Sequence, residues 1–231
     1  MTHLQRFFGE NGPALIAFDL DGTLVDSARD LAVTIDRLLL ELGRPPAGEA
    51  AVRGWVGNGA EMLVRRALAN SAAPEVVNAV SEVVWSPALT RFQSLYQEEN
   101  GRSACLYPGV KETLTALSQQ QKPMVVITNK PRVFAEPLLN QLGIAPYFAL
   151  LLGGECLPRK KPDPMPLLHA CRYFSVKPQA CLMVGDSRND VQAAQAAGYV
   201  SAALTYGYNH GEPVSACHPD WLLDGFHELL D

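Results

Sequence analysis

The stretch that decides the fold is Ala14-Leu15-Ile16-Ala17-Phe18-Asp19-Leu20-Asp21-Gly22-Thr23. Its first five residues are a short, unbroken apolar run bounded by Gly12-Pro13, which reads as a strand buried on both faces. Two carboxylates leave the end of that strand together. Residues i and i+2 of an extended segment point to the same side, so Asp19 and Asp21 should share one small volume. Gly22 lets the backbone turn sharply after them. Like charges that close are unfavourable unless something positive sits between them: a metal ion, a lysine, or a proton held by one carboxylate. The plainer alternative is a pair of solvated loop aspartates, or Asp21-Gly22 as a simple turn.

Working outward, the periodicity divides the chain. From Ala28 to about Ala104 the pattern is helical. Asp30 to Leu42 carries apolar residues at helical spacing, with Gly43 as its stop. Ala60 to Ala69 reads as a second amphipathic helix. A third starts at Pro74, and Pro87 is expected to kink or split it. From Tyr107 onward strand-like runs alternate with helices. The runs are Pro123–Ile127, Phe148–Leu152, Ala180–Val184 and Val200–Leu204. The helices are Val110–Gln120, Val133–Leu142, Met165–Phe174 and Asp190–Ala197. Such alternation predicts an α/β fold, a Rossmann-like three-layer parallel sheet with helices on both faces. The first strand belongs with the later ones. A discontinuous core of residues 1–26 plus 105–231 is therefore expected, with residues 27–104 as an inserted all-helical domain.

Composition narrows the function. The chain has 231 residues, 48% hydrophobic and 19% charged, which suits an ordinary globular protein with a proper core. A net charge of −5 without a basic stripe argues against nucleic acid or an anionic membrane as partner. The five cysteines, Cys105, Cys156, Cys171, Cys181 and Cys217, form no C-x-x-C pair, so neither a disulfide framework nor a zinc knuckle is suggested. Met1 to Glu10 lacks the signature of a signal peptide, and no run of about 18 apolar residues exists. The expectation is a cytoplasmic protein.

In parallel sheets, ligands bind beyond the carboxyl ends of the strands. Polar clusters stand at those ends here. Asp19 and Asp21 follow the first strand, and Thr128-Asn129-Lys130 follow Ile127. Lys160-Lys161-Pro162-Asp163-Pro164 comes after the run ending at Leu152, and Gly185-Asp186-Ser187-Arg188-Asn189-Asp190 follows Val184. Convergence of four such clusters on one sheet edge is much more specific than any one of them, and packing does not require it.

Taken together, D-x-D-G-T, T-N, K-P-x-P and G-D-S-x-N-D resemble the signatures of the haloacid dehalogenase superfamily of phosphotransferases. The resemblance covers essentially the whole chain, the helical insertion being similar to that family's α-helical cap. Trp55 to Gly59, Gly185 to Asp190 and Thr205 to Gly211 further resemble its phosphoglycolate phosphatase branch.

The resemblance implies a Mg²⁺-dependent phosphomonoester hydrolase. Asp19, ionised at neutral pH and needing no base, is the expected nucleophile, giving an aspartyl-phosphate. Asp21 is the expected general acid. Asp186 is expected to hold Mg²⁺ together with Asp19 and the backbone carbonyl of Asp21, the oxygen donors this ion prefers. Asp190 would be an outer-sphere ligand or would hold Lys161; a plain alternative is a helix N-terminal aspartate favoured by the macrodipole. Lys161, joined directly to Pro-x-Pro as in the family, is preferred to Lys160 as the charge near the phosphoryl oxygens, and Lys160 is read as a solvated surface lysine. Thr128 and Asn129 are expected to donate to the phosphate, or to shape a strand-end turn. Asn58 and Gly59 sit in a loop that either presents N–H groups to a small carboxylate or is an ordinary turn. Thr23 and Asp26-Ser27 are expected to shape the turn and the hinge into the cap, with plain turn and N-cap chemistry as the alternative, and His210 and Trp221 read as structural residues. The expected partner is a small phosphorylated organic acid, phosphoglycolate foremost, for a monomer or small homo-oligomer. Pyrophosphate, sugar phosphates and a phosphomutase reaction are the alternatives.

Overall fold

The computed structural model describes residues 3–231. The first two residues of the segment Met1–Glu10, read above for a leader, lie outside it. In chain order the elements are α1 (His3–Phe8), β1 (Leu15–Phe18), β2 (Val25–Asp26), α2 (Ala28–Glu41), α3 (Glu49–Arg53), α4 (Ala60–Ala69), α5 (Pro74–Asn78) and α6 (Glu82–Glu99). They continue with β3 (Cys105–Leu106), α7 (Val110–Gln119), β4 (Met124–Ile127), α8 (Arg132–Gln141), β5 (Leu150–Leu152), α9 (Met165–Phe174), β6 (Cys181–Gly185), α10 (Arg188–Ala197), β7 (Val200–Leu204) and β8 (Trp221–Leu223).

Six strands form one parallel sheet in the order β5-β4-β1-β6-β7-β8. β1 lies between β4 and β6, with Ile16 opposite Met124 and Leu182, and Phe18 opposite Val126 and Val184. Alternate residues of each strand serve opposite faces. Phe18, Val126 and Val184 pack with Leu114 of α7 and Leu138 of α8. Ala17, Val125 and Met183 pack with Leu167 of α9 and Ala194 of α10. Burial on both faces is why these strands read as continuous apolar runs. β8 was not among the expected strands, and Trp221, read as a packing residue, stands at its start with its neighbour Leu222 exposed. β2 and β3 form a separate antiparallel pair at the two points where the chain leaves and rejoins the sheet layer.

Helices α2, α3, α4 and α6 pack around their own apolar cluster, which includes Ile35, Leu38, Val64, Phe92, Leu95 and Tyr96. Phe134 and Tyr208, from outside that segment, complete it. The break expected at Pro87 falls earlier, between α5 and α6, and α6 runs straight through Pro87. The carbonyl that Pro87 leaves unbonded belongs to Val83, which is 85% exposed, so water can satisfy it. Asp30, fully buried, accepts the main-chain N–H groups of Gly101, Ser103 and Ala104 and so ties the end of the helical segment to its start. Among the described residues no helix is long and apolar enough to cross a membrane.

Candidate active site

β1 is flanked on one side by strands that follow it through α7 and on the other by β6, so the connection reverses direction there. A crevice forms at such a point beyond the carboxyl ends of the strands. Asp19 leaves β1 into that crevice. Asp186 and Asp190 come from the β6–α10 turn, where Ser187 and Asp190 form a reciprocal capping box. Carboxylate oxygens of Asp19, Asp186 and Asp190 all lie within 4.8 Å of one another, and all three residues are buried.

Such crowding carries an electrostatic cost. Burial, only partly offset by Lys161, pushes the Asp19 carboxyl up to about 6, with Asp190 adding to the rise. Burial and the charges of Asp190 and Asp19 hold Asp186 well above the usual carboxylate range. The backbone makes room for the cluster. A Cβ on Gly22, whose φ is +88°, would lie 2.2 Å from Asp186 Oδ2, and one on Gly207 would lie 2.3 Å from the Asp186 Cβ. The Asp186 oxygens are fixed by Thr23 Oγ1, which donates at 2.7 Å, and by the Tyr208 N–H at 2.5 Å.

Asp19 Oδ1 is buried without a hydrogen bond, although Lys161 Nζ stands 3.0 Å away as an ion-pair partner. A buried, oxygen-only set of carboxylates with an unbonded oxygen fits a hard divalent cation. Asp190 is differently engaged. Its Oδ1 accepts from Lys161 Nζ at 2.6 Å and its Oδ2 from the Ser187 N–H and hydroxyl. Burial alone would lower the Lys161 pKa, but Asp19 and Asp190 outweigh it and raise it.

Asp21 faces another way. It accepts from Ser27 Oγ at 2.5 Å and from Lys130 Nζ at 3.0 Å. Ser27 makes no helix cap; its hydroxyl is spent on Asp21, while Asp26 accepts the Ala28 N–H. Lys130 is buried and also donates to Tyr96 Oη at 2.6 Å, with its ammonium 4.7 Å from the Tyr96 ring centre. Sequence reasoning placed Lys130 in the polar cluster after Ile127 but gave it no role, and it passed over Tyr96. Lys130 directly follows Thr128-Asn129 at the end of β4, but its partners lie 109 and 34 residues away.

Thr128 Oγ1 accepts the Lys130 N–H, leaving its own proton available. Both Asn129 amide protons are committed, to the carbonyls of Gly57 and Lys161, each at 2.9 Å. The Asn58 side chain bonds to Asn189 and accepts from Arg66, while Gly59 lines the crevice. Lys160 is not a solvated lysine. It is half-buried, its Nζ donates to the Asn58 carbonyl at 2.8 Å, and desolvation lowers its pKa. His210 has a partner that the sequence did not show, the Gly54 carbonyl 3.2 Å from its Nδ1.

The sequence pattern of the haloacid dehalogenase-like hydrolases matches residues 13–198. A phosphoglycolate phosphatase of Pseudomonas putida is 50% identical over 231 residues, spanning all of this chain and 83% of that protein. Phosphoglycolate phosphatase 1 of Pseudomonas aeruginosa is 45% identical over 230 residues, with the same coverage of each. Among solved structures, one described as a predicted phosphoglycolate phosphatase from Haemophilus somnus superposes with a TM-score of 0.87 at 41% identity, over 94% of this chain and 96% of that one. With this fold, this carboxylate cluster and these relatives, the chain belongs to the haloacid dehalogenase-like hydrolases.

Proposed function

We propose that the protein is a Mg²⁺-dependent phosphomonoesterase whose substrate is 2-phosphoglycolate, cleaved to glycolate and phosphate. The observation that carries this reading is the meeting of Asp19, Lys161 and Asp186 in one buried cluster, with Asp19 and Asp21 lining the crevice beside it. The names of the relatives support the choice of substrate.

A carboxylate oxygen of Asp19 attacks phosphorus, and the bond from phosphorus to the ester oxygen breaks. The departing oxygen keeps the electron pair and takes a proton from Asp21. Water then attacks the phosphorus of the aspartyl-phosphate and passes a proton to the Asp21 carboxylate. The acyl–phosphate bond breaks, phosphate leaves and Asp19 is restored. Lys161, held by Asp190, keeps a positive charge beside the nucleophile. The Thr128 hydroxyl donates to a phosphoryl oxygen. With its amide protons committed, Asn129 contributes by orienting Lys161 and the loop at Gly57. Asp19, Asp186 and the Asp21 carbonyl would hold the cation, which, when bound, offsets the negative charge of the carboxylates and phosphoryl oxygens. Residues 27–104 act as a cap over a core of residues 1–26 and 105–231 and exclude bulk water when closed.

The test is phosphate release from a panel of phosphoglycolate, sugar phosphates, nucleotides and pyrophosphate, with and without Mg²⁺. A dominant phosphoglycolate signal, lost on metal removal and in Asp19→Asn, is expected. Metal-dependent release from another compound would overturn the substrate, and silence across the panel would overturn the phosphatase reading.

A further inference from the structure

We propose that Lys130 and Tyr96 form the seat for a second anionic group of the substrate, and thereby select phosphorylated acids over phosphate esters that carry no such second group. The inference rests on the phosphatase reading above and names residues for its specificity.

Above Asp19 and Asp21 the crevice is walled by Leu31, Val56, Leu63, Phe92 and Phe134. A carboxylate gains nothing from such a wall, and desolvating it there without a partner is costly. Among the described residues that line it, Lys130 alone carries a positive charge. Its ammonium is buried, and it is fixed from two sides by Asp21 and by the hydroxyl and ring of Tyr96. The Tyr96 oxygen accepts the lysine proton, and among the described residues no hydrogen bond takes up the tyrosine's own proton. A charged donor and a free neutral donor thus meet at one point of an otherwise apolar wall. Two convergent donors match the two oxygens of a carboxylate.

The position also fits the chemistry. In 2-phosphoglycolate a single carbon separates the ester oxygen from the carboxylate carbon. Asp21, assigned to protonate that ester oxygen, is 3.0 Å from Lys130 Nζ. An ester oxygen at Asp21 therefore brings the carboxylate beside Lys130 and Tyr96. The two donors come from different parts of the chain, Tyr96 from α6 and Lys130 from the end of β4, so the seat is complete only when the helical segment lies over the sheet edge. The N-terminus of α4 at Gly59-Ala60 lines the same crevice and is the competing holder of the carboxylate.

The experiment compares kcat/KM for 2-phosphoglycolate and for ethyl phosphate, which carries a methyl group in place of the carboxylate. The full chain is used with Mg²⁺, as wild type, Lys130→Met and Tyr96→Phe. The wild type should prefer phosphoglycolate. Lys130→Met should cut that preference by roughly tenfold or more, chiefly through KM for phosphoglycolate. Tyr96→Phe keeps the ring and should cut it by a smaller factor; should Lys130→Met fail to fold, this variant decides alone. A preference unchanged in the folded variants would overturn the inference, assign the carboxylate to the α4 N-terminus and leave the phosphatase reading standing. A wild type equally active on both esters would overturn the inference alone. A wild type inactive on both would overturn the substrate reading and the inference with it.

Discussion

Asp19 and Asp21 leave the same strand, yet each meets its own lysine: Lys161 for Asp19 and Lys130 for Asp21. The spacing demanded a positive group there without saying which. Lys161 was legible because it adjoins Pro162 in a local pattern, whereas Lys130, though it stands in the polar cluster after Ile127, had no readable role, because nothing local shows a lysine's distant partners. Asp190 was ambiguous in the sequence, and its two oxygens now tie it to Lys161 and Ser187. Asp190→Asn should lower kcat by roughly ten- to a hundredfold with a smaller change in KM, since it loosens the lysine and not the substrate. Steady-state kinetics on the substrate found active checks this, and an unchanged kcat would show that Asp19 alone holds Lys161. Gly22→Ala should abolish activity in a protein that still folds, because its Cβ would collide with Asp186 Oδ2. Full activity in that variant would mean the carboxylate cluster is looser than its geometry indicates.

At the scale of elements, the long apolar runs and amphipathic helices were readable because each carries its own period. β2, β3 and β8 have two or three residues each, too few to show a period, and they exist because of what they pair with. Asp30 has the same character. Within α2 it reads as a first-turn acid, but it holds the far end of the helical segment. Asp30→Ala should cost about 2 kcal/mol of stability by leaving buried N–H groups without an acceptor. Urea denaturation measures this, and an unmoved midpoint would contradict it. His210 gives a pH prediction. Burial and the nearby Arg66 hold its pKa below the ordinary value for histidine. A histidine depressed in the folded state contributes stability above its unfolded pKa of about 6.5, and that contribution is lost as pH falls through the lower folded value. NMR titration of the ring should locate that value, and His210→Gln should flatten the decline in thermal midpoint on the acid side.

At the scale of the molecule, burying the carboxylates of Asp19, Asp186 and Asp190 together carries a cost to stability, which a cation bound as proposed would relieve. Mg²⁺ should therefore raise the thermal midpoint in proportion to the logarithm of its concentration. That rise should vanish in Asp186→Asn; a rise of equal size in the variant would place the cation elsewhere. The sheet, the helical insertion and the acidic edge were all foreseeable from pattern. The contacts between the helical segment and the sheet were not, since they join residues far apart in sequence. Four of those contacts share one trait: Asn129, Asn189, Lys160 and His210 each reach to a main-chain carbonyl, of Gly57, Asn58 or Gly54. At these four points the sheet layer grips the path of the loop, and Asn58, bonded to Asn189, is the loop side chain held beside them. Evolution can in consequence exchange Val56 or Leu63, and with them the shape of the crevice, while the same grip persists, so one scaffold can move among substrates through substitutions that leave the seating of this loop untouched.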